Sequence, residues 1–180
     1  MNKIKSIAID LTQKKALVKV SAFAVFLAIA ILAPLLKQQL ITGSIVNAVL
    51  FISTAYLGIT AGILISFIPS LFAGSVGLLP LPLLPMIPYI IMGNIILVLC
   101  FGFLRKKSFL LSAILASLLK FLFLFGASSF IINFFIQKAL PAKIVVMMAW
   151  PQLITALLGS LIAFIVLQYI GSLTEIYRRV

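Results

Sequence analysis

From Ala16 to Ile170 the chain repeats one pattern: a long apolar run almost free of charge, then a short break carrying Lys, Arg, Pro or Gly. About 20 such residues, coiled as a helix, cross the ~30 Å hydrocarbon core of a bilayer. Lipid offers the backbone no hydrogen-bond partners, so a spanning segment must satisfy its own N–H and C=O groups. Helices do this within one segment, and the expected fold class is therefore all-α transmembrane. Composition agrees. Apolar residues fill 64% of 180 positions, against roughly half in a soluble domain, and a soluble domain of this size has too little interior to hide the excess.

The breaks divide the chain. Residues 1–15 are polar and basic, with Lys3, Lys5, Lys14 and Lys15. The run Ala16–Leu36 follows, longer than the apolar core of a signal peptide and read as a retained first span. Ser44 to Leu71 carries no charge and is too long for one span, with Gly58 placed to break it in two. Pro80, Pro82, Pro85 and Pro88 exclude a continuous helix through residues 74–88. A span from about Pro88 to Leu104 ends at Arg105-Lys106-Lys107. Ser108–Gln137 must tilt, bend near Gly126 or project. In the last run, Ile144–Ile170, Pro151 marks a candidate first turn, leaving residues 143–150 as a covering segment.

Charge decides how many times the chain crosses. If residues 44–71 form two short helices, there are six spans and both termini share a side. That side then carries Lys3, Lys5, Lys14, Lys15, Lys19, the Arg105–Lys107 triplet, Arg178 and Arg179, ten cations against Lys37, Lys138 and Lys143 opposite. One long helix would split them seven to six. Cytoplasmic loops concentrate Lys and Arg, so the expected architecture is a six-helix bundle with short second and third helices, N-in and C-in. It divides into a basic cytoplasmic segment 1–15, a membrane domain 16–172 and a cytoplasmic tail 173–180. The +12 charge then reflects topology and contact with anionic lipid at the cytoplasmic face, with no nucleic-acid partner.

Several chemistries lack their residues. The chain has no His, one Cys (Cys100), and two acids, Asp10 and Glu175, outside the spans. No Ser-His-Asp or Cys-His set can be assembled, no cysteine pair can hold a metal, and no carboxylate relay crosses the membrane. There is no Walker A sequence. The chain is therefore expected to have no catalytic residue, metal or cofactor.

The polar residues within the spans remain. Lys120 lies 13 residues past Lys107, about 20 Å of helix, as either a partner for an anionic group or a snorkelling anchor. Asn47, Asn94, Asn133 and Gln152 fall at similar expected depth towards the outside, with Tyr89, Ser129 and Trp150 nearby. Convergent polar groups in an apolar cavity suit small-molecule recognition. Asn133 and Lys120 are separated by about 220° around an ideal helix, which puts Lys120 away from an Asn133 pocket. The expected site is therefore in the outer half, among Asn94, Asn133 and Gln152. Ala24-x-x-x-Ala28, Gly58-x-x-x-Gly62 and the stripe Gln152, Ala156, Gly159, Ala163 have the small-residue spacing that lets helices approach closely, for internal packing or partner docking.

Taken over residues 16–172, the chain resembles the S components of energy-coupling factor transporters, the membrane subunits that bind vitamins for bacterial import. The resemblance rests on size, six spans with a short central pair, and a basic start before an Ala-rich first helix. It also rests on Tyr56-Leu57-Gly58-Ile59-Thr60-Ala61-Gly62 leading through Pro69 into a Gly/Pro loop, and on a span closed by Arg105-Lys106-Lys107. It implies a multi-pass protein of a prokaryotic plasma membrane that binds a small-molecule substrate. It further implies partnership with a transmembrane coupling subunit, docked at Ala24 and Ala28, and with ATP-binding subunits. The substrate would sit near the outer face, beneath the segments 37–43, 72–87 and 138–149. The absent His argues against the nickel and cobalt members. A non-transporting scaffold of the rod-shape-determining type has similar size and helix count and is the alternative.

Overall fold

The computed structural model describes residues 2–77, 81–135 and 146–178, with side chains described for 13–77, 84–129 and 146–171. Six long helices account for most of it: α1 (Asn2–Leu32), α2 (Gln39–Tyr56), α3 (Ile59–Ser75), α4 (Ile87–Leu104), α5 (Phe109–Phe135) and α6 (Trp150–Arg178). There is no strand among the described residues. Five stretches are long and apolar enough to cross a membrane, and α3 is a shorter apolar helix of 17 residues. Large apolar side chains such as Leu17, Val25, Phe103, Leu111 and Ile165 are more than half exposed, as expected where lipid is the solvent. The protein is a multi-pass helical bundle.

The short central pair forms as expected. α2 ends at Tyr56, and Gly58 takes φ 104°, ψ 173°, a backbone region essentially reserved for glycine, before α3 begins at Ile59. The Arg105 guanidinium, just past α4, donates to the carbonyl of Ala55 near the end of α2. It meets a carbonyl left without an intrahelical partner and the negative end of the helix dipole. The contact brings the C-termini of α2 and α4 to one end of the bundle. At the other end, Gln39 Nε2 in the first turn of α2 donates to Met147 O, just before α6, at 2.8 Å.

The structure refines the sequence reading at three places. α1 begins at Asn2, so residues 2–15 are helical too, while the stretch apolar enough to span runs from Gln13 to Leu36. α2 begins at Gln39 rather than Ser44, because its polar start is accommodated: Ser44 Oγ donates to Leu40 O at 2.7 Å and Thr42 Oγ1 to Ala33 O at 3.0 Å. Asn47 is therefore in mid-helix, about 12 Å from the α2 start. Ahead of α4, residues Leu81–Met86 form a 3-10 turn that takes in Pro82 and Pro85. Pro151 does fall in the first turn of α6, after one helical turn at 146–148.

α2 is the core element, buried at every position from Asn47 to Thr54. Phe51, Phe101 and Phe109 stack edge to face from α2 through α4 to α5, with centroids 4.9 and 5.1 Å apart, a favoured geometry for aromatic quadrupoles. α6 crosses α2 on the small-residue stripe: Ala156 and Ala163 are fully buried, and a Cβ on Gly159 would lie 2.7 Å from Asn47 Cβ and 2.8 Å from Ala48 N. Gly43 does the same from α2, facing Thr155. Lipid provides little hydrophobic drive between helices, so this close contact is what holds them.

Candidate functional site

Where α2, α4, α5 and α6 meet, a polar network centres on Lys120. It comes from the middle of α5 and is 3% exposed. Its Nζ donates to Asn47 Oδ1 of α2 at 2.6 Å and to Asn94 Oδ1 of α4 at 2.7 Å. Asn47 Nδ2 in turn donates to Thr155 Oγ1 of α6 at 3.3 Å, and Thr155 Oγ1 donates to Gln152 O at 3.1 Å. An ammonium has three N–H donors, so two are engaged. Both amides are oriented by these bonds, each turning its oxygen to the cation.

The network forms the floor of a cavity of about 520 Å³. Its walls come from the 3-10 turn after α1 and the residues following it, the start of α2, the end of α3, and the segment before α6. Lys37, Gln38 and Gln39 stand at one side, Ala73, Val76 and Gly77 at another, and Met147 and Met148 at a third. Gln39 and Gln152 both donate to Met147 O, at 2.8 and 3.3 Å, and so hold that third wall in place. Lys37 is fixed by φ 53°, a left-handed backbone that ends the 3-10 turn at Leu36. All these walls lie at the end of the bundle opposite Arg105.

Of the residues expected from sequence, Asn47, Asn94, Gln152 and Lys120 line this cavity. Trp150 lies elsewhere, 66% exposed and stacked on Phe121 with centroids 5.5 Å apart. Tyr89 is half-buried and outside the lining, and Ser129 donates to Phe125 O within its own helix. The side chain of Asn133 lies outside the described residues. Ala24 and Ala28 are both on the exposed face of α1.

The expected separation of Lys120 from the amides is corrected. The 220° angle relates residues within α5, whereas the amides that reach Lys120 belong to α2 and α4. Both sit deeper than expected, Asn94 seven residues into its helix and Asn47 eight. Thr155, Ser70, Thr42 and Gln39 were missed. Thr155 follows Gln152 by three, and Gln39 precedes Thr42 by three, so helical spacing was the available signal. Ser70 follows Pro69 and carried none.

Comparison with family models, curated proteins and solved structures finds no match to this chain.

Proposed function

We propose that this chain is the substrate-binding membrane subunit of an importer of the energy-coupling factor type, taking a vitamin or similar micronutrient across a prokaryotic plasma membrane. The observation that carries this reading is the cavity. Its size lies within the 300–1,000 Å³ typical of small-molecule sites, and its floor is an oriented cation–amide cluster drawn from three helices. Its position supports the same reading, since it is walled by the three segments under which S components bind their substrates. The α1 face with Ala24 and Ala28 is left exposed, as docking on a coupling subunit requires.

Substrate enters from the end bearing Lys37 and displaces water from the apolar walls. Polar groups on the floor fix its orientation. No energy source is needed within the chain, because ATP-binding subunits acting through the coupling subunit would supply it.

The test is purification of the full chain, co-expressed with a candidate coupling subunit and its ATPases, followed by native mass spectrometry. A bound metabolite of vitamin size and a stable complex are expected. A chain that carries no small molecule and instead isolates with cell-wall synthesis proteins would overturn the reading in favour of a scaffold.

A further inference from the structure

The floor of the cavity is charged on one side only. Lys120 presents an ammonium with its third N–H uncommitted. Asn94 has given its oxygen to Lys120, and its Nδ2 has no partner among the described residues, although the residue is 2% exposed and lines the cavity. Ser70, 8% exposed, also lines it with a hydroxyl that bonds to nothing among the described residues. Thus the groups left for a ligand around Lys120 are an ammonium N–H, an amide NH₂ and a hydroxyl, while the side-chain carbonyls of Gln39 and Gln152, whose Nε2 atoms hold Met147 O, belong to the walls. The amide oxygens Asn47 Oδ1 and Asn94 Oδ1 each already accept from Lys120. No acid lines the cavity among the described residues, and a second cation, Lys37, stands exposed at its side.

We infer that the substrate is a small organic carboxylate, bound head-down, with one carboxylate oxygen on Lys120 Nζ and the other on Asn94 Nδ2. This rests on the reading of the chain as a substrate-binding subunit. A buried ammonium without a counter-charge is costly in a membrane interior, and a carboxylate on the floor removes that cost. The floor holds one ammonium and no Arg, which matches one negative charge rather than the two of a phosphate monoester. Pro34, Val46, Ile90 and Met148 supply apolar wall above it, so the body of the molecule is largely apolar. Lys37 at the side raises the local concentration of anions.

The test uses the full chain in nanodiscs and a polar-metabolite extract of bacterial cells, half of it esterified so that carboxylates become neutral methyl esters. Protein is equilibrated with each half and washed, and bound compounds are identified by mass spectrometry. A carboxylic acid is expected to be enriched from the untreated half, with enrichment falling roughly 10- to 100-fold after esterification, the range for a hydrogen bond to a charged group. Asn94→Asp, of the same shape, places a carboxylate beside Lys120 and should reduce capture of the acid by a similar factor, as should Lys120→Met. If Lys120→Met does not fold, Asn94→Asp alone decides. Enrichment of a neutral or cationic compound, or of a phosphate without a carboxylate, would overturn the carboxylate assignment and leave the binding-subunit reading standing, whereas capture of phospholipid only overturns both. Capture undiminished by esterification or by Asn94→Asp would likewise overturn the carboxylate assignment alone. Enrichment of nothing from either half overturns the binding reading and this inference together.

Discussion

At Lys120 two effects oppose each other. Burying an ammonium costs several kcal/mol, while two short hydrogen bonds to amide oxygens return part of it. Removing the cation and removing an acceptor therefore differ in consequence. Lys120→Met leaves two amide oxygens without a donor but abolishes the buried charge, so the empty protein should stay within about 2 kcal/mol of wild type. Asn47→Leu keeps the charge and halves its acceptors, and should destabilise by about 2–4 kcal/mol. Unfolding midpoints in mixed detergent micelles check this order, and equal losses would contradict it. Glycines show the same dependence on surroundings. Gly159→Val drives side-chain atoms into the α2 backbone and should cost about 1–3 kcal/mol. A Cβ on Gly126 would meet nothing within 4 Å, so Gly126→Ala should be neutral or stabilising by up to about 1 kcal/mol through helix propensity. The same unfolding assay reads both.

Among the elements, the α2–α3 connection depends on one dihedral pair. A Cβ at Gly58 would touch nothing, so the strain of Gly58→Ala is purely backbone. The expected loss is about 1–3 kcal/mol, with no change in cavity chemistry. A Gly58→Ala protein as stable as wild type would refute the account. Sequence made this break legible, because a charge-free run too long for one span had Gly58 at its middle and the charge count required a turn there. The start of α2 was not legible. Gln39 and Thr42 read as loop residues. They are helical because partners in the last turns around α1, and ahead of α6, take their hydrogen bonds. Nothing local to residues 39–44 reveals those partners.

For the whole molecule, charge asymmetry and cavity position make a joint prediction. Arg105–Lys107 lie at one end of the bundle and the cavity opens towards the other, so the cavity should face outside if the basic end is cytoplasmic. In a Cys100→Ala background, Gln38→Cys should react with a membrane-impermeant maleimide on intact cells. Lys106→Cys should react only after permeabilisation. The reverse pattern would invert the topology. Under the proposed function, docking on a coupling subunit would be separable from substrate binding, because Ala24 and Ala28 lie on an exposed face of α1 and neither lines the cavity. Ala24→Trp with Ala28→Trp should abolish co-purification of a coupling subunit and leave ligand capture unchanged.

The sequence by itself determined the solvent and the helices, five of them long and apolar enough to cross a membrane. Apolar run length and the tally of cations are properties of segments, and a segment's affinity for lipid does not depend on its neighbours. It also supplied the polar residues from which a site could be built. Only the tertiary structure decided which of them meet. Asn47 and Asn94 lie 73 and 26 residues from Lys120, and their convergence depends on how α2, α4 and α5 pack together. Trp150, as polar and aromatic a candidate as any in the chain, ends on the outside beside Phe121. The reason is geometric: residue type sets what a side chain can bond, and helix packing sets what it reaches.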